Sequence, residues 1–100
     1  MFNLFKRIPS ITTNELSQLK NPMIIDVRTP MEYKNGHING AKNIPLNKID
    51  SFETNKQVYV ICQSGMRSKR ASKILSKKGI DVVNVKGGMG AWQGRTVKKK

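Results

Sequence analysis

The sequence predicts an α/β fold, with a central parallel sheet of about five short strands and helices on both faces. Short apolar runs alternate along the chain with stretches of helical periodicity, and the runs are apolar throughout, as strands buried on both faces are. No repeat, low-complexity tract or linker divides the 100 residues, and a chain of this length builds one modest core. We therefore expect one domain at 1–100, with a core at about 10–95 and a loose basic tail at 96–100.

The first helix is predicted to begin in the segment TTNEL. Thr12 and Glu15 have the spacing of a capping box, in which each side chain accepts a hydrogen bond from the other residue's backbone N–H. Leu16 and Leu19 share one face of that helix. The next segment, MIIDV at 23–27, is short, apolar and contains β-branched residues, so it is predicted to be a buried strand.

A second capping box predicts the next helix. Thr29 can cap this helix, Pro30 suits its first position, and Glu32 completes the box. We expect the helix to stop near Gly36. The segment that follows is rich in turn-forming residues, and within it AKNI at 41–44 is predicted to be a short strand.

The clearest strand is QVYVI at 57–61, and Cys62 follows at its carboxyl end. A helix is then predicted from residue 66 or 67 to a stop at Gly79, with an apolar face formed by Ala71, Ile74 and Leu75. DVVNV at 81–85 is the next predicted strand. The segment KGGMGAW after it is expected to be loose.

The chain is strongly basic, with a formal net charge of +13. Basic residues are spread along the whole chain, and the three phenylalanines, two tyrosines and one tryptophan do not alternate with them as a base-stacking surface requires. We interpret the charge as a solvated basic surface and expect no nucleic-acid partner. Such a surface still attracts small anions and acidic proteins, more weakly as salt rises.

No apolar run approaches the roughly 20 residues of a membrane-spanning helix, and the opening MFNLFKRIPS lacks the order of a signal peptide. We expect a cytoplasmic monomer without membrane contact. The single cysteine cannot form an internal disulfide, so its thiol stays available for chemistry. One cysteine and one histidine are too few for a four-ligand zinc site, and we expect neither a metal nor a cofactor.

Cys62 stands where a buried strand turns into a helix. The backbone N–H groups of such a loop, and the positive end of the helix dipole, favour an anion at this position. Gly65 can take a positive φ, which lets the loop curl with its amides inward. Arg67 adds a permanent charge and up to two parallel hydrogen bonds for an oxyanion. We therefore predict a lowered pKa and a nucleophilic sulfur at Cys62.

Each of these residues also has an ordinary structural interpretation. A lone cysteine is usually a small buried hydrophobe, Arg67 a solvated helix charge and Gly65 a turn glycine, but together the three favour a site. A cysteine protease or acyltransferase would need a histidine base, and the one histidine is His37, in the turn-rich segment GHING. Nothing in the sequence brings His37 to Cys62. We therefore favour a hydrogen-bonded imidazole that fixes that turn.

Two reactions use a thiolate inside a cradle of amides: hydrolysis of a phosphate monoester and transfer of a sulfane sulfur. Cysteine-dependent phosphatases place five residues between the cysteine and the arginine, whereas CQSGMR has four. A tighter loop suits a smaller guest, such as one sulfur atom carried on Cys62 as a persulfide. Arg67 would then hold the oxyanion end of a donor such as thiosulfate.

Three motifs together resemble the rhodanese family, and in particular its single-domain sulfurtransferases. IDVRTPMEYKNGHINGAKNIP resembles the family's amino-terminal motif, CQSGMRS its catalytic loop and VVNVKGGMGAW its carboxyl-terminal motif. The three occur in the family's order and span about three quarters of the chain. Their combination is far more specific than any one of them.

The resemblance implies a rhodanese-like domain in which Cys62 takes sulfur from a small anionic donor, thiosulfate or a persulfide. Through a persulfide on its own sulfur, Cys62 would pass that atom to a thiol, to cyanide or to a protein acceptor. The resemblance assigns the cradle to the rest of the loop: Gln63, Ser64, Gly65, Met66, Arg67 and Ser68. Asp26 and Arg28 are implied to support the loop through a hydrogen bond or an ion pair. Packing and turn roles are implied for Gly87, Gly88 and Trp92.

A binding module is the alternative from a different class of protein. Such a module would keep the rhodanese-like scaffold and recognise an acidic partner through its basic face. A pure scaffold has no need of the loop cysteine, which argues against this interpretation.

Gln63 stands where relatives that use thiosulfate often carry a basic residue, and Met66 adds an apolar lip. We therefore keep a persulfide beside thiosulfate as an expected donor.

Overall fold

The computed structural model describes residues 7–98 of the chain. Within that range the strands are Ser10–Ile11 (β1), Ile24–Asp26 (β2), Lys42–Asn43 (β3), Val58–Ile61 (β4) and Val82–Val85 (β5). The helices are Thr13–Ser17 (α1), Pro30–Lys34 (α2), Met66–Lys77 (α3) and Gly88–Ala91 (α4), with a 3-10 helix at Leu46–Ser51. None of the helices between residues 7 and 98 combines the length and the apolar character that crossing a bilayer requires.

The five strands form one parallel sheet in the order β1-β5-β4-β2-β3. The predicted α/β fold with about five parallel strands is therefore confirmed. From β2 the chain continues to β3 on one side, and from β4 it continues to β5 on the other side. The carboxyl ends of β2 and β4 consequently flank the point at which the strand order reverses, which is where parallel sheets hold their functional sites. Cys62 directly follows β4 at this point.

Apolar side chains cover both faces of the sheet. Successive strand residues point to opposite faces, so each strand contributes to two clusters. One cluster joins the sheet to α3 and the 3-10 helix and includes Ile25, Val58, Val60, Ala71, Leu75 and Ile49. The other joins the sheet to α1 and α4 and includes Ile24, Ile61, Val85, Leu16, Met89 and Trp92. The predicted helices on both faces are therefore present.

Both predicted capping boxes are present, and they start α1 and α2. The Glu15 N–H donates to Thr12 Oγ1 at 3.0 Å, and the Thr12 N–H donates to Glu15 Oε1 at 2.8 Å. In α2 the Glu32 N–H donates to Thr29 Oγ1 at 3.2 Å, and the Thr29 N–H donates to Glu32 Oε1 at 2.9 Å. Two helix starts were thus correctly placed by a local side-chain pattern.

Two sequence-based expectations about helices need correction. The segment after β5 is not loose, because it contains α4. Leu16 and Leu19 do not share a buried face, because α1 ends at Ser17 and leaves Leu19 exposed beyond it. The sequence analysis also did not predict β1 or the 3-10 helix, which are short and lack a strong periodic pattern.

The carboxyl-terminal segment is held to the domain by backbone hydrogen bonds. Val97 and His37 exchange a pair of them, with N···O distances of 2.8 and 2.9 Å, in an isolated antiparallel bridge. The expectation of a loose tail from residue 96 is therefore wrong for Val97. Lys99 and Lys100 of the predicted tail, like the first six residues of the chain, lie outside the described residues.

Candidate active site

The loop from Cys62 to the start of α3 curls around the cysteine sulfur. Gly65 is the residue before the helix and has a φ of 109°, a conformation that side-chain-bearing residues rarely adopt. This turn aims the Gly65 N–H at the sulfur, and the N···Sγ distance is 3.0 Å. The predicted inward curl at Gly65 is therefore observed. Cys62 itself is buried, with 0% of its surface exposed.

The environment of Cys62 lowers the pKa of its thiol. Burial alone would raise that pKa, but hydrogen bonds from the Ser68 hydroxyl and from the backbone N–H groups of Ser68, Gly65 and Ser64 lower it by more. The direction agrees with the sequence-based prediction. The Ser68 hydroxyl donates to the Gly65 carbonyl oxygen at 3.1 Å, and its single proton would have to leave that oxygen to reach the sulfur. A thiolate is the stronger acceptor of the two.

The amino-terminal part of α4 holds the loop through two backbone hydrogen bonds. The Met89 N–H donates to the Cys62 carbonyl oxygen at 2.7 Å, and the Gly90 N–H donates to the Gln63 carbonyl oxygen at 2.9 Å. Gly88 allows this close approach, because a Cβ there would lie 2.6 Å from the Gln63 carbonyl oxygen and closer still to that of Cys62. The carbonyls therefore point toward α4.

This support from α4 was missed by the sequence analysis, which gave Gly87 and Gly88 packing and turn roles. The available signal was two adjacent glycines immediately after β5, the strand that pairs with β4. A segment that leaves the end of β5 passes the loop that leaves the end of β4. Residues without a side chain at that point indicate a close backbone contact.

A buried ion pair lies beneath the loop. Arg28 Nη2 is 2.8 Å from Asp26 Oδ2, and both side chains are almost completely buried. Arg28 Nη1 donates to Gln63 Oε1 at 3.3 Å, and Nη2 donates to the Gly36 carbonyl oxygen at 2.8 Å. The structure therefore brings the predicted pair of Asp26 and Arg28 next to the cysteine loop. The ion pair contacts the loop through a hydrogen bond from Arg28 to the side chain of Gln63.

Arg67 forms an ion pair across two helices. Its Nη1 donates to Glu32 Oε1 at 2.7 Å and its Nη2 to Glu32 Oε2 at 3.0 Å, with 35% of each side chain exposed. The hydrogen bonds from Arg67 are the main cause that lowers the pKa of Glu32 to about 2. The same bonds raise the pKa of Arg67, and the negative charge of Cys62 contributes to this increase. The predicted free guanidinium facing an anion is therefore not observed, since both Nη atoms are bound to a carboxylate.

The partnership of Glu32 with Arg67 was also missed, because Glu32 was considered only as a capping residue. A signal for it exists in the topology. Both residues lie in the first turns of helices that follow neighbouring parallel strands, β2 and β4. The starts of two such helices lie side by side, and residues of opposite charge there can meet.

His37 has the structural role that the sequence analysis favoured. Its ring stacks on that of Tyr33, with the ring centroids 3.6 Å apart, and its Nδ1 lies 2.6 Å from the Tyr33 carbonyl oxygen. The side chain is buried. Within residues 7–98 it forms no hydrogen bond with Cys62. The imidazole therefore fixes the turn after α2.

The remaining predicted loop residues form the rim of the site. Gln63 and Ser64 are exposed, and Met66 has 79% of its surface exposed. Ser68 is fully buried at the first turn of α3. The predicted cradle residues thus lie in one continuous segment, formed by the loop at 63–65 and the first turn of α3 at 66–68.

Comparisons with known proteins agree with this arrangement. A family model of the Rhodanese-like domain matches residues 12–95. The chain is 40% identical over 80 residues to a putative sulfurtransferase, YtwF, of Bacillus subtilis, and the aligned region covers 76% of this chain and 78% of that protein. It is 32% identical over 94 residues to the thiosulfate sulfurtransferase GlpE of Pseudomonas putida, covering 89% and 86% of the two chains. A crystal structure of a rhodanese-like domain protein from Staphylococcus aureus superimposes with a TM-score of 0.82 at 41% identity, covering 93% of this chain and 100% of the other.

Proposed function

The chain belongs to the rhodanese-like domain family, and on that premise we propose that it is a sulfurtransferase that carries a sulfane sulfur on Cys62. The names of two relatives, a putative sulfurtransferase and a thiosulfate sulfurtransferase, support this class of reaction. The observation on which the proposal depends most is the geometry around Sγ. A sulfur that accepts a hydrogen bond from the Gly65 N–H, and whose pKa is lowered by its surroundings, is suited to act as a nucleophile.

The proposed reaction is a double displacement. In the first step the Cys62 thiolate attacks the outer sulfur of thiosulfate, and the S–S bond of thiosulfate breaks with its electron pair leaving on sulfite. Cys62 then carries a persulfide anion. In the second step a nucleophile such as a thiolate or cyanide attacks the terminal sulfur, and Cys62 leaves as a thiolate. The sulfur changes partners without any external oxidant or reductant.

The loop supplies the electrostatics that both steps need. Each step places negative charge on a sulfur atom inside the curl of the loop, where backbone N–H groups are already oriented toward it. Donors that are oriented before the reaction stabilise such a charge without reorganising. The proposal assigns the lining of this space to Gln63, Ser64, Gly65, Met66 and Arg67, and it assigns a supporting role to Asp26 and Arg28, which contact the loop through Gln63.

Intact mass measurement tests the proposal. Incubation with thiosulfate is expected to add the mass of one sulfur atom, and cyanide is expected to remove it with formation of thiocyanate. Cys62→Ala is the matched control and should gain nothing. A protein that stays unmodified at millimolar thiosulfate and also with a persulfide donor would contradict the proposal.

A binding module is the second candidate, and the surface of α3 favours it. The helix begins at the exposed Met66, and exposed basic side chains follow along it: Lys69, Arg70, Lys73 and Lys77. These residues suit an acidic protein partner. If Cys62→Ser keeps full biological activity and salt-sensitive partner binding, this second function replaces the first.

We also propose that the chain acts as a single-domain monomer in the cytoplasm, where its one thiol stays reduced. Its partners would be a small anionic donor and a thiol, cyanide or protein acceptor, and not a nucleic acid. Analytical ultracentrifugation tests the monomer. A stable dimer at micromolar concentration would overturn that part of the proposal.

A further inference from the structure

Glu32 binds two different groups with one carboxylate. Its Oε1 accepts from the Thr29 N–H at 2.9 Å, which completes the cap of α2, and it also accepts from Arg67 Nη1 at 2.7 Å. Its Oε2 accepts from Arg67 Nη2 at 3.0 Å. Among residues 7–98 these bonds to Arg67 are the only hydrogen bonds that join α2 to α3. Glu32 is therefore fixed in the first turn of α2 and binds Arg67 of α3.

The carboxylate occupies the part of Arg67 that would bind a donor. A guanidinium binds a planar or tetrahedral oxyanion through two parallel N–H groups, and here Glu32 uses both Nη atoms in that way. Arg67 lies in the first turn of α3, two residues after Gly65, whose N–H donates to the Cys62 sulfur at 3.0 Å. An oxyanion that binds Arg67 through its two Nη atoms therefore competes with Glu32.

Either the Glu32 carboxylate or a solute oxyanion can bind Arg67, because the ion pair between Glu32 and Arg67 is accessible to solvent. The side chains of Glu32 and Arg67 are each 35% exposed, so a solute anion can reach them. Thr29 keeps the carboxylate in place on α2, so Arg67 is the partner that has to move. Removing the competitor leaves the guanidinium available to the solute at all times.

We propose that Glu32 is a positioning residue that sets the donor preference of this site, because it competes with the oxyanion of a donor for Arg67. This inference rests on the proposed sulfurtransferase function and deepens it. Thiosulfate, whose transferable sulfur is attached to an oxyanion, competes with Glu32 for the two Nη atoms of Arg67. A persulfide donor, whose transferable sulfur is attached to a second sulfur atom, does not need Arg67 and escapes this competition.

The size of the effect follows from the strength of a half-exposed ion pair. Such a pair keeps the arginine occupied for most but not all of the time, and the apparent affinity of a ligand falls in proportion to the fraction of protein that is able to bind it. Freeing Arg67 should therefore tighten thiosulfate binding by about 3- to 10-fold.

The decisive variant is Glu32→Gln. Glutamine at the third helical position still completes a capping box, so α2 keeps its cap while the charge that holds Arg67 is removed. The chain offers a matched control in Glu15→Gln, because Glu15 completes the same kind of box in α1. Both changes raise the net charge by one, but within residues 7–98 the side chain of Arg67 hydrogen-bonds only to Glu32.

Binding is measured without turnover, in a Cys62→Ser background, by following the backbone amide signals of residues 63–68 during a titration with sodium thiosulfate. The dissociation constant should fall about 3- to 10-fold with Glu32→Gln and stay constant with Glu15→Gln. Adding Arg67→Ala to Glu32→Gln should abolish the gain. Thermal unfolding of each variant reports separately on any loss of the helix cap.

Three results would overturn the inference: equal or weaker binding with Glu32→Gln, the same gain with Glu15→Gln, or no thiosulfate binding to any variant. The second result would mean that net charge alone attracts the donor. Failure of the proposed function is seen in a different measurement, namely the absence of the added sulfur on wild-type Cys62. The two failures can therefore be told apart.

Discussion

At the scale of single residues, Cys62 combines full burial with a lowered pKa. Burial removes water that would solvate a thiolate and so raises the pKa of a thiol, but three backbone N–H groups and one hydroxyl replace that water. The Ser68 hydroxyl is the one donor among these that a substitution can remove without altering the backbone.

Ser68→Ala should raise the pKa of Cys62, because the thiolate loses a hydrogen bond from a neutral donor. At neutral pH we expect alkylation by iodoacetamide to be about 3- to 10-fold slower. The pH dependence of the alkylation rate, measured alongside the ultraviolet absorbance of the thiolate, gives the pKa directly.

Ser72→Ala is the control for this prediction. Ser72 lies one turn further along α3 and is equally buried, but its hydroxyl has no hydrogen-bond partner among the described residues. Its loss should leave the pKa of Cys62 unchanged. If the two variants titrate alike, the Ser68 hydroxyl does not stabilise the thiolate.

At the scale of secondary-structure elements, the site depends on the contact between α4 and the cysteine loop. Gly88 has a φ of 60° and lies against the carbonyl groups of Cys62 and Gln63. A side chain there would strain the backbone and push the loop away from α4. The N–H groups of Met89 and Gly90 would then lose their acceptors.

Gly88→Ala should therefore both destabilise the fold and raise the pKa of Cys62. We expect a loss of about 1 to 3 kcal/mol in the free energy of unfolding beyond that of Gly79→Ala. Gly79 has a similar φ of 89° at the end of α3, but no atom lies within 4 Å of its missing Cβ. Urea unfolding of both variants isolates the cost of the contact, and equal losses would contradict the role given to α4.

The elements that the sequence predicts are those with local signals. α1 and α2 begin with capping boxes, whose two partners lie three residues apart, and α3 has a periodic apolar face. β1 has two residues and is defined by its pairing with β5, in which Ser10 lies opposite Asn84 and Ile11 opposite Val85. A pairing of this kind leaves no pattern in two residues.

The same distinction applies to the candidate site. The turn at Gly65 and the lowered pKa of Cys62 follow from a strand, a glycine and a helix start that are contiguous in the sequence. The bond between Glu32 and Arg67 and the support from α4 arise from the side-by-side ends of parallel strands. They can be predicted only once the strand order is known.

At the scale of the whole molecule, the net charge of +13 surrounds a site that is proposed to bind anions. A field of this kind concentrates small anions near the surface and accelerates their encounter with the protein, and dissolved salt screens it. A neutral reagent is not attracted by it.

Salt should therefore slow the reaction with thiosulfate more than the reaction with a neutral reagent. We expect the second-order rate of persulfide formation to fall several-fold as the ionic strength rises from about 0.02 M to about 0.5 M. Stopped-flow or quenched mass measurements give this rate. Iodoacetamide alkylation of Cys62 is the control, and a parallel decline in its rate would show that salt acts on the loop rather than on the encounter.

The hydrogen bonds from α4 to the peptide groups of Cys62 and Gln63 also determine when the loop loses its conformational entropy. Because the Met89 and Gly90 N–H groups hold those carbonyls, the peptide planes cannot rotate freely between one turnover and the next. Their conformational entropy is lost once, when the chain folds, and would not be lost again in each cycle of the proposed reaction. The side chains around the loop remain adjustable. Each donor or acceptor of sulfur would therefore meet a fixed backbone surrounded by side chains that can move.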